Sequence, residues 1–124
     1  MRALLPLLLL AGCATAAPRP SPEAALAQVT AGRVAGAPQT CLDLRRVRGS
    51  TIVPGAAIVY DAGDTLFVNR PRSGADSLRD LDILETRTFA GQLCRGEPVN
   101  LRDPSTGSIR SFVLLGDFVP YRRP

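Results

Sequence analysis

From Cys41 onward the apolar positions recur in steps of two, the period of a strand with one buried face. Val99-Asn100-Leu101-Arg102 alternates cleanly, Asp103-Pro104-Ser105-Thr106-Gly107 follows as turn chemistry, and Ile109 to Leu115 resumes the alternation. The pattern predicts a hairpin over 98–115. A second hairpin is expected from Ala56-Ala57-Ile58-Val59-Tyr60 and Thr65-Leu66-Phe67-Val68-Asn69, folded about Asp61-Ala62-Gly63-Asp64. Pro54-Gly55 separates it from an earlier strand near Leu42–Val47 that resumes at Ser50–Val53, and Thr-rich Leu84–Phe89 is a further candidate. Pro71 to Ser77 reads as a loop, and Ser77–Asp82 could add one short helical turn. Regular turn signals without a long helix predict an all-β domain over 41–124, a small meander barrel or sandwich of five to seven short strands. No internal repeat is visible.

Ahead of this domain the pattern changes. From Cys13 to about Gln39 the chain is rich in Ala, Pro, Thr, Ser and Gly, with Pro at 18, 20, 22 and 38. It reads as a flexible tether over 13–40, because such a composition buries little apolar surface. Ser21-Pro22-Glu23 supplies an N-cap, a first-turn Pro and a first-turn acid, so a short helix is expected to run from there toward Gly32. At this length it is marginal unless docked. Residues 1–12 have the form of a signal peptide: a cationic start at Arg2, then an apolar run from Ala3 to Ala11 interrupted by Pro6. That run is about half of the ~20 residues a helix needs to cross a bilayer.

The tetrad Leu10-Ala11-Gly12-Cys13 resembles the lipobox of bacterial lipoproteins. The resemblance implies a diacylglyceryl group on the Cys13 sulfur and cleavage that leaves Cys13 as the first residue. Position 14 is Ala rather than Asp, which by the same resemblance favours the outer membrane, facing the periplasm. The alternative is an ordinary cut near Ala16-Ala17 that discards Cys13. With Cys13 consumed, three cysteines become two. In an oxidising compartment Cys41 and Cys94 are then expected to form a disulfide, against the alternative of two inert buried thiols.

Cys41-Leu42-Asp43-Leu44-Arg45-Arg46-Val47-Arg48, Leu66-Phe67-Val68-Asn69-Arg70 and Gln92-Leu93-Cys94-Arg95-Gly96-Glu97 together resemble an uncharacterised family of small exported bacterial proteins. The likeness extends over about 41–119. That family commonly carries two more cysteines, at places held here by Ser73 and about Phe112. Their joint absence is what a lost second bridge would leave, and it supports pairing Cys41 with Cys94. The resemblance implies a fold and no activity.

Composition narrows the chemistry. The chain has 15 Arg and 11 acids, and no Lys, His or Trp. There is thus no imidazole base and no Schiff-base amine. Asp76, Asp80, Asp82 and Glu85 could be imagined as a hard-cation site, but their spacing is not that of a calcium loop and Arg79 stands among them. A solvated, self-paired charged loop is the expected reading, with no metal and no cofactor. Asp61 and Asp64 could serve a small carboxylate-based hydrolase, yet they stand where a hairpin turn wants Asp and Gly. The basic candidates are an anion-binding patch of Arg45, Arg46 and Arg48 and a second pair, Arg122-Arg123. Without residues 1–12 the chain keeps 14 Arg against 11 acids, too modest an excess for a nucleic-acid protein. The two aromatics Phe118 and Tyr121 are expected in the core rather than in a docking peptide. The sequence thus points to a membrane-anchored periplasmic lipoprotein with a structural, accessory or binding role. The alternative is an Arg-rich module for an anionic envelope component or a partner protein, and a hydrolase is a third reading.

Overall fold

A computed structural model of the chain describes residues 11–13, 18–88 and 90–124. The leader 1–10, including Leu10 of the lipobox, and the Ala16-Ala17 alternative lie outside the described residues, as does Phe89. Ala11, Gly12 and Cys13 are exposed, and Cys13 is a free thiol.

The domain is all-β, as the alternation predicts. Among the described residues one α-helix, α1 (Pro22–Val29), precedes ten strands: β1 (Val34–Ala35), β2 (Cys41–Asp43), β3 (Gly49–Val53), β4 (Ala57–Asp61), β5 (Thr65–Asn69), β6 (Ile83–Glu85), β7 (Gln92–Cys94), β8 (Pro98–Arg102), β9 (Ile109–Leu114) and β10 (Phe118–Arg122). The strand number exceeds five to seven because two- and three-residue pieces such as β1, β2 and β7 carry too few positions to show a period. Both expected hairpins form, β4–β5 and β8–β9. The Asp103 carboxylate accepts from the Ser105 N–H at 2.7 Å, so the β8–β9 turn is held by its own Asp.

Three stretches depart from the pattern; of these, the strand expected over Leu84–Phe89 runs only from Ile83 to Glu85, with 86–88 outside any strand. The strand expected over Leu42–Val47 stops at Asp43, whose side chain accepts from the Arg45 N–H at 3.0 Å and caps a 3-10 turn over Leu44–Arg46. The helical turn expected at Ser77–Asp82 falls instead at Ala75–Ser77, because Gly74, at φ 85°, opens the turn two residues earlier.

The sheets run β1-β10-β5-β4-β3, β2-β7 and β6-β8-β9. They join into one belt. Gln39 bridges to Phe118, and the Arg95 N–H donates to the Thr40 C=O at 2.8 Å, which carries β10 over to β2 and β7. Gly96 and Glu97 then exchange bonds with Leu115, which carries β7 over to β8 and β9. Inside the belt lies the main core, with Phe67, Leu101, Val113 and Phe118 fully buried.

The outer face of the five-stranded sheet is covered by α1. Ser21 caps it by accepting from the Ala24 N–H, and Leu26 seats among Val53, Ala57, Val59 and Val68. Two small residues there, Ala56 and Ala57, let the helix come close. The marginal helix is thus docked, and the packed region begins at Ser21 rather than at Cys41. No helix among the described residues is long and apolar enough to cross a membrane. Cys41 and Cys94 face each other in the β2–β7 register and are joined as a disulfide across 53 residues of sequence.

Candidate anion-binding site

The three arginines of the expected patch divide. Arg45 reaches back to Asp43, its Nε to Oδ1 at 3.1 Å and its terminal nitrogen to Oδ2 at 3.0 Å. That fork holds the Asp43 carboxyl below its usual range and compensates the Arg45 charge. Arg46 is exposed on the 3-10 turn. Arg48 turns toward the β4–β5 hairpin. Its main-chain N–H donates to the Asp61 C=O at 2.7 Å, and its guanidinium lies over Gly63, where a Cβ would stand 3.3 Å from Cζ.

Around that hairpin other arginines gather. Val34 pairs with Arg122, Arg122 with Thr65, and Gly49 with Asp61, so the residues flanking these pairs lie at one end of the five-stranded sheet. Arg33 precedes β1, Arg48 precedes β3, Arg122 ends β10 and Arg123 follows it. Arg33, Gly63, Asp64, Arg122 and Arg123 line a depression of about 350 Å³.

Arg33 donates to two main-chain carbonyls, those of Asp64 at 3.0 Å and Tyr121 at 3.4 Å. The Arg122 Nε donates to the hydroxyl of Thr65 at 3.2 Å, and that hydroxyl, buried, bonds the Asp64 carboxylate at 3.2 Å. Asp61 is occupied by the turn and accepts from the Gly63 N–H at 2.8 Å. Asp61 and Asp64 therefore act as turn residues, in keeping with their sequence context.

What marks the site is the gathering of several unpaired arginines at one sheet end; Arg19, Arg46, Arg72 and Arg79 also lack an ion pair among the described residues but do not line this depression. Arg45, Arg70, Arg95, Arg102 and Arg110 each pair with a carboxylate, Asp43, Glu23, Asp117, Glu85 and Asp82, and Arg87 lies 3.9 Å from Glu85. Among the described residues no ion pair involves Arg33, Arg48, Arg122 or Arg123. Arg33 and Arg122 are oriented by neutral oxygens. A preset guanidinium fork is what carboxylate and phosphate bind, and four arginines here stand against the one carboxylate that lines the depression among the described residues, that of Asp64, which is bonded to the Thr65 hydroxyl.

Of the acidic stretch 76–85, Asp82 and Glu85 are paired with other strands, and Glu85 also lies 3.9 Å from Arg87, whereas among the described residues no ion pair involves Asp76 or Asp80. Asp82 holds Arg110 of β9, and Glu85 holds Arg102 of β8. Among the described residues no group of three or more His, Cys, Asp or Glu side chains is placed to hold a metal. Of the sequence candidates, Arg48, Arg122 and Arg123 reach the depression or its rim. Arg33 shows no signal in its local sequence, because only the pairing of β1 with β10 brings it there. Comparison with family models, with curated proteins and with solved structures finds no match to this chain.

Proposed function

We propose that the protein is an exported, lipid-anchored envelope protein whose β-domain binds an anionic ligand at the arginine end of its main sheet. The lipobox-like Leu10-Ala11-Gly12-Cys13 and the Cys41–Cys94 bridge support export to an oxidising compartment, and the exposed Cys13 sulfur lies ahead of the packed domain. Placement in the outer membrane, facing the periplasm, rests on Ala14 and on the lipoprotein resemblance. The observation that carries the binding reading is that Arg33 and Arg122, which line one depression, are held by carbonyl and hydroxyl oxygens while six other arginines have carboxylate partners. A chain with neither His nor Lys is better suited to such binding than to nucleophilic or acid–base catalysis.

Two measurements test this. Cys13→Ser should move the protein from the membrane fraction to the soluble one; unchanged membrane partition would remove the anchor. The triple variant Arg33→Gln, Arg122→Gln, Arg123→Gln should bind vesicles of anionic phospholipid, or soluble polyphosphate, about ten-fold more weakly, a loss of roughly 1.4 kcal/mol. Raising the salt concentration should weaken binding of the unmodified protein. Arg45→Gln, which removes a compensated charge, should leave binding unchanged. If Arg45→Gln weakens binding as much as the triple variant does, the charge is diffuse and the site is not at the sheet end.

A further inference from the structure

The belt has one open seam among the described residues, between β3 and β6, the last strands of their two sheets. Ladder alternation shows which main-chain groups face it. The Ala62 N–H donates to the Thr65 C=O at 2.9 Å, so 60↔67 and 58↔69 are the hydrogen-bonded pairs of β4 with β5. Residues 57, 59 and 61 of β4 therefore bond to 53, 51 and 49 of β3. That leaves the N–H and C=O of Ser50 and Ile52 pointing into the seam.

On the other side, the Leu115 N–H donates to the Glu97 C=O at 3.0 Å, which makes 99↔113 and 101↔111 the bonded pairs of β8 with β9. Asn100 and Arg102 then bond to Glu85 and Ile83, and the main chain of Leu84 faces outward. Between the two edges is an open depression of about 480 Å³ to which Ser50, Ile52, Asp80, Ile83 and Leu84 contribute.

We infer that this seam accepts an extended segment of a partner polypeptide by strand addition. Two edges with their main-chain donors and acceptors turned toward the same gap are matched by a chain that offers both along both sides, which an extended backbone does. The side-chain environment restricts the segment further. Ile52 and half-buried Leu84 belong to the main core or pack against it, and Ile83 is 52% exposed at the rim, so alternate apolar residues of the incoming strand would cover them. Asp82 is held by Arg110, whereas no ion pair to Asp80 is found among the described residues. The exposed Asp80 carboxylate favours a Lys or Arg in the segment. This surface is separate from the arginine end and does not depend on the lipid anchor.

The test uses the full chain and two capped peptides of alternating Val and Thr, one ended by Lys and the other by Glu, with amide hydrogen exchange as the readout. The Lys-ended peptide should slow exchange at Ser50, Ile52 and Leu84 about ten-fold or more, since ladder bonds convert open amides to protected ones. The Glu-ended peptide should do less. Ser50→Pro removes a donor that faces outward from an edge strand, a position that tolerates Pro, and should abolish the slowing at Ile52 and Leu84. Asp80→Lys, on the surface, should reverse the preference between the peptides whether or not Ser50→Pro folds. Unchanged exchange at all three amides with either peptide at millimolar concentration overturns the inference. Slowing that grows with protein concentration in the absence of peptide also overturns it, because the occupant is then a second copy of the chain.

Discussion

The hydroxyl of Tyr60 lies inside the belt with no hydrogen-bond partner among the described residues, while its ring packs against Phe118 at a centroid distance of 5.9 Å. A buried unmatched hydroxyl costs more than it contributes. Tyr60→Phe keeps the ring and removes the hydroxyl, so it should raise unfolding stability by about 1 kcal/mol in a urea titration. Burial pushes the phenol above its ordinary value of 10.0. Above that value the unfolded chain releases the proton and the folded chain retains it, so stability is complete below about pH 10 and declines as pH rises further. Tyr60→Phe should shift the alkaline unfolding midpoint upward; an unchanged midpoint would assign the alkaline loss to another group.

Asn69 is buried for the opposite reason. Its side-chain amide exchanges two bonds with the Gly116 main chain, both at 2.9 Å, and so ties the end of β5 to the entry of β10. A Cβ on Gly116 would stand 2.3 Å from the Arg70 C=O. Gly116→Ala must therefore displace backbone, and a loss of roughly 2–4 kcal/mol is expected in the same titration. Neither role is legible in the sequence, where Asn69 reads as a strand end and Gly116 as one more glycine. The partners are 47 positions apart, and only the fold brings them together.

Among the elements, the hairpins β4–β5 and β8–β9 were readable because each is local, with its turn chemistry between its own strands. The small β2–β7 ladder was not, since three-residue strands far apart in sequence carry no period. Its disulfide was legible by counting cysteines, although the ladder around it was hidden. Closing a 53-residue loop constrains the unfolded chain by about 4 kcal/mol in the chain-entropy model. Reductant should lower stability by up to that amount, and Cys41→Ala with Cys94→Ala should show the same loss without reductant. If reductant changes nothing, β2 and β7 are held by packing alone. The helix shows the converse limit: its cap was visible at Ser21, but its docking partner, the outer face of β3, β4 and β5, was not. Composition alone therefore assigned it to a tether.

For the molecule as a whole, the fold class followed from the alternation, whereas the candidate site did not. The patch Arg45, Arg46 and Arg48 is contiguous in sequence, but a carboxylate two residues before Arg45 neutralises it and a 3-10 turn sends Arg48 elsewhere. The arginine end is instead assembled from four chain segments by strand order. The same order separates the arginines from the chain entry. Pro22 packs on the Pro54-Gly55 turn, at the end of the sheet opposite the Asp61–Asp64 hairpin. A lipid on Cys13 would leave only eight residue steps before Ser21. Even fully drawn out, these span no more than about 29 Å. With such a lipid in place, the docked helix would set a mooring length, keeping the domain within roughly its own diameter of the bilayer. Its lower end would ride near the lipid, and with the sheet upright its arginines would face the space beyond.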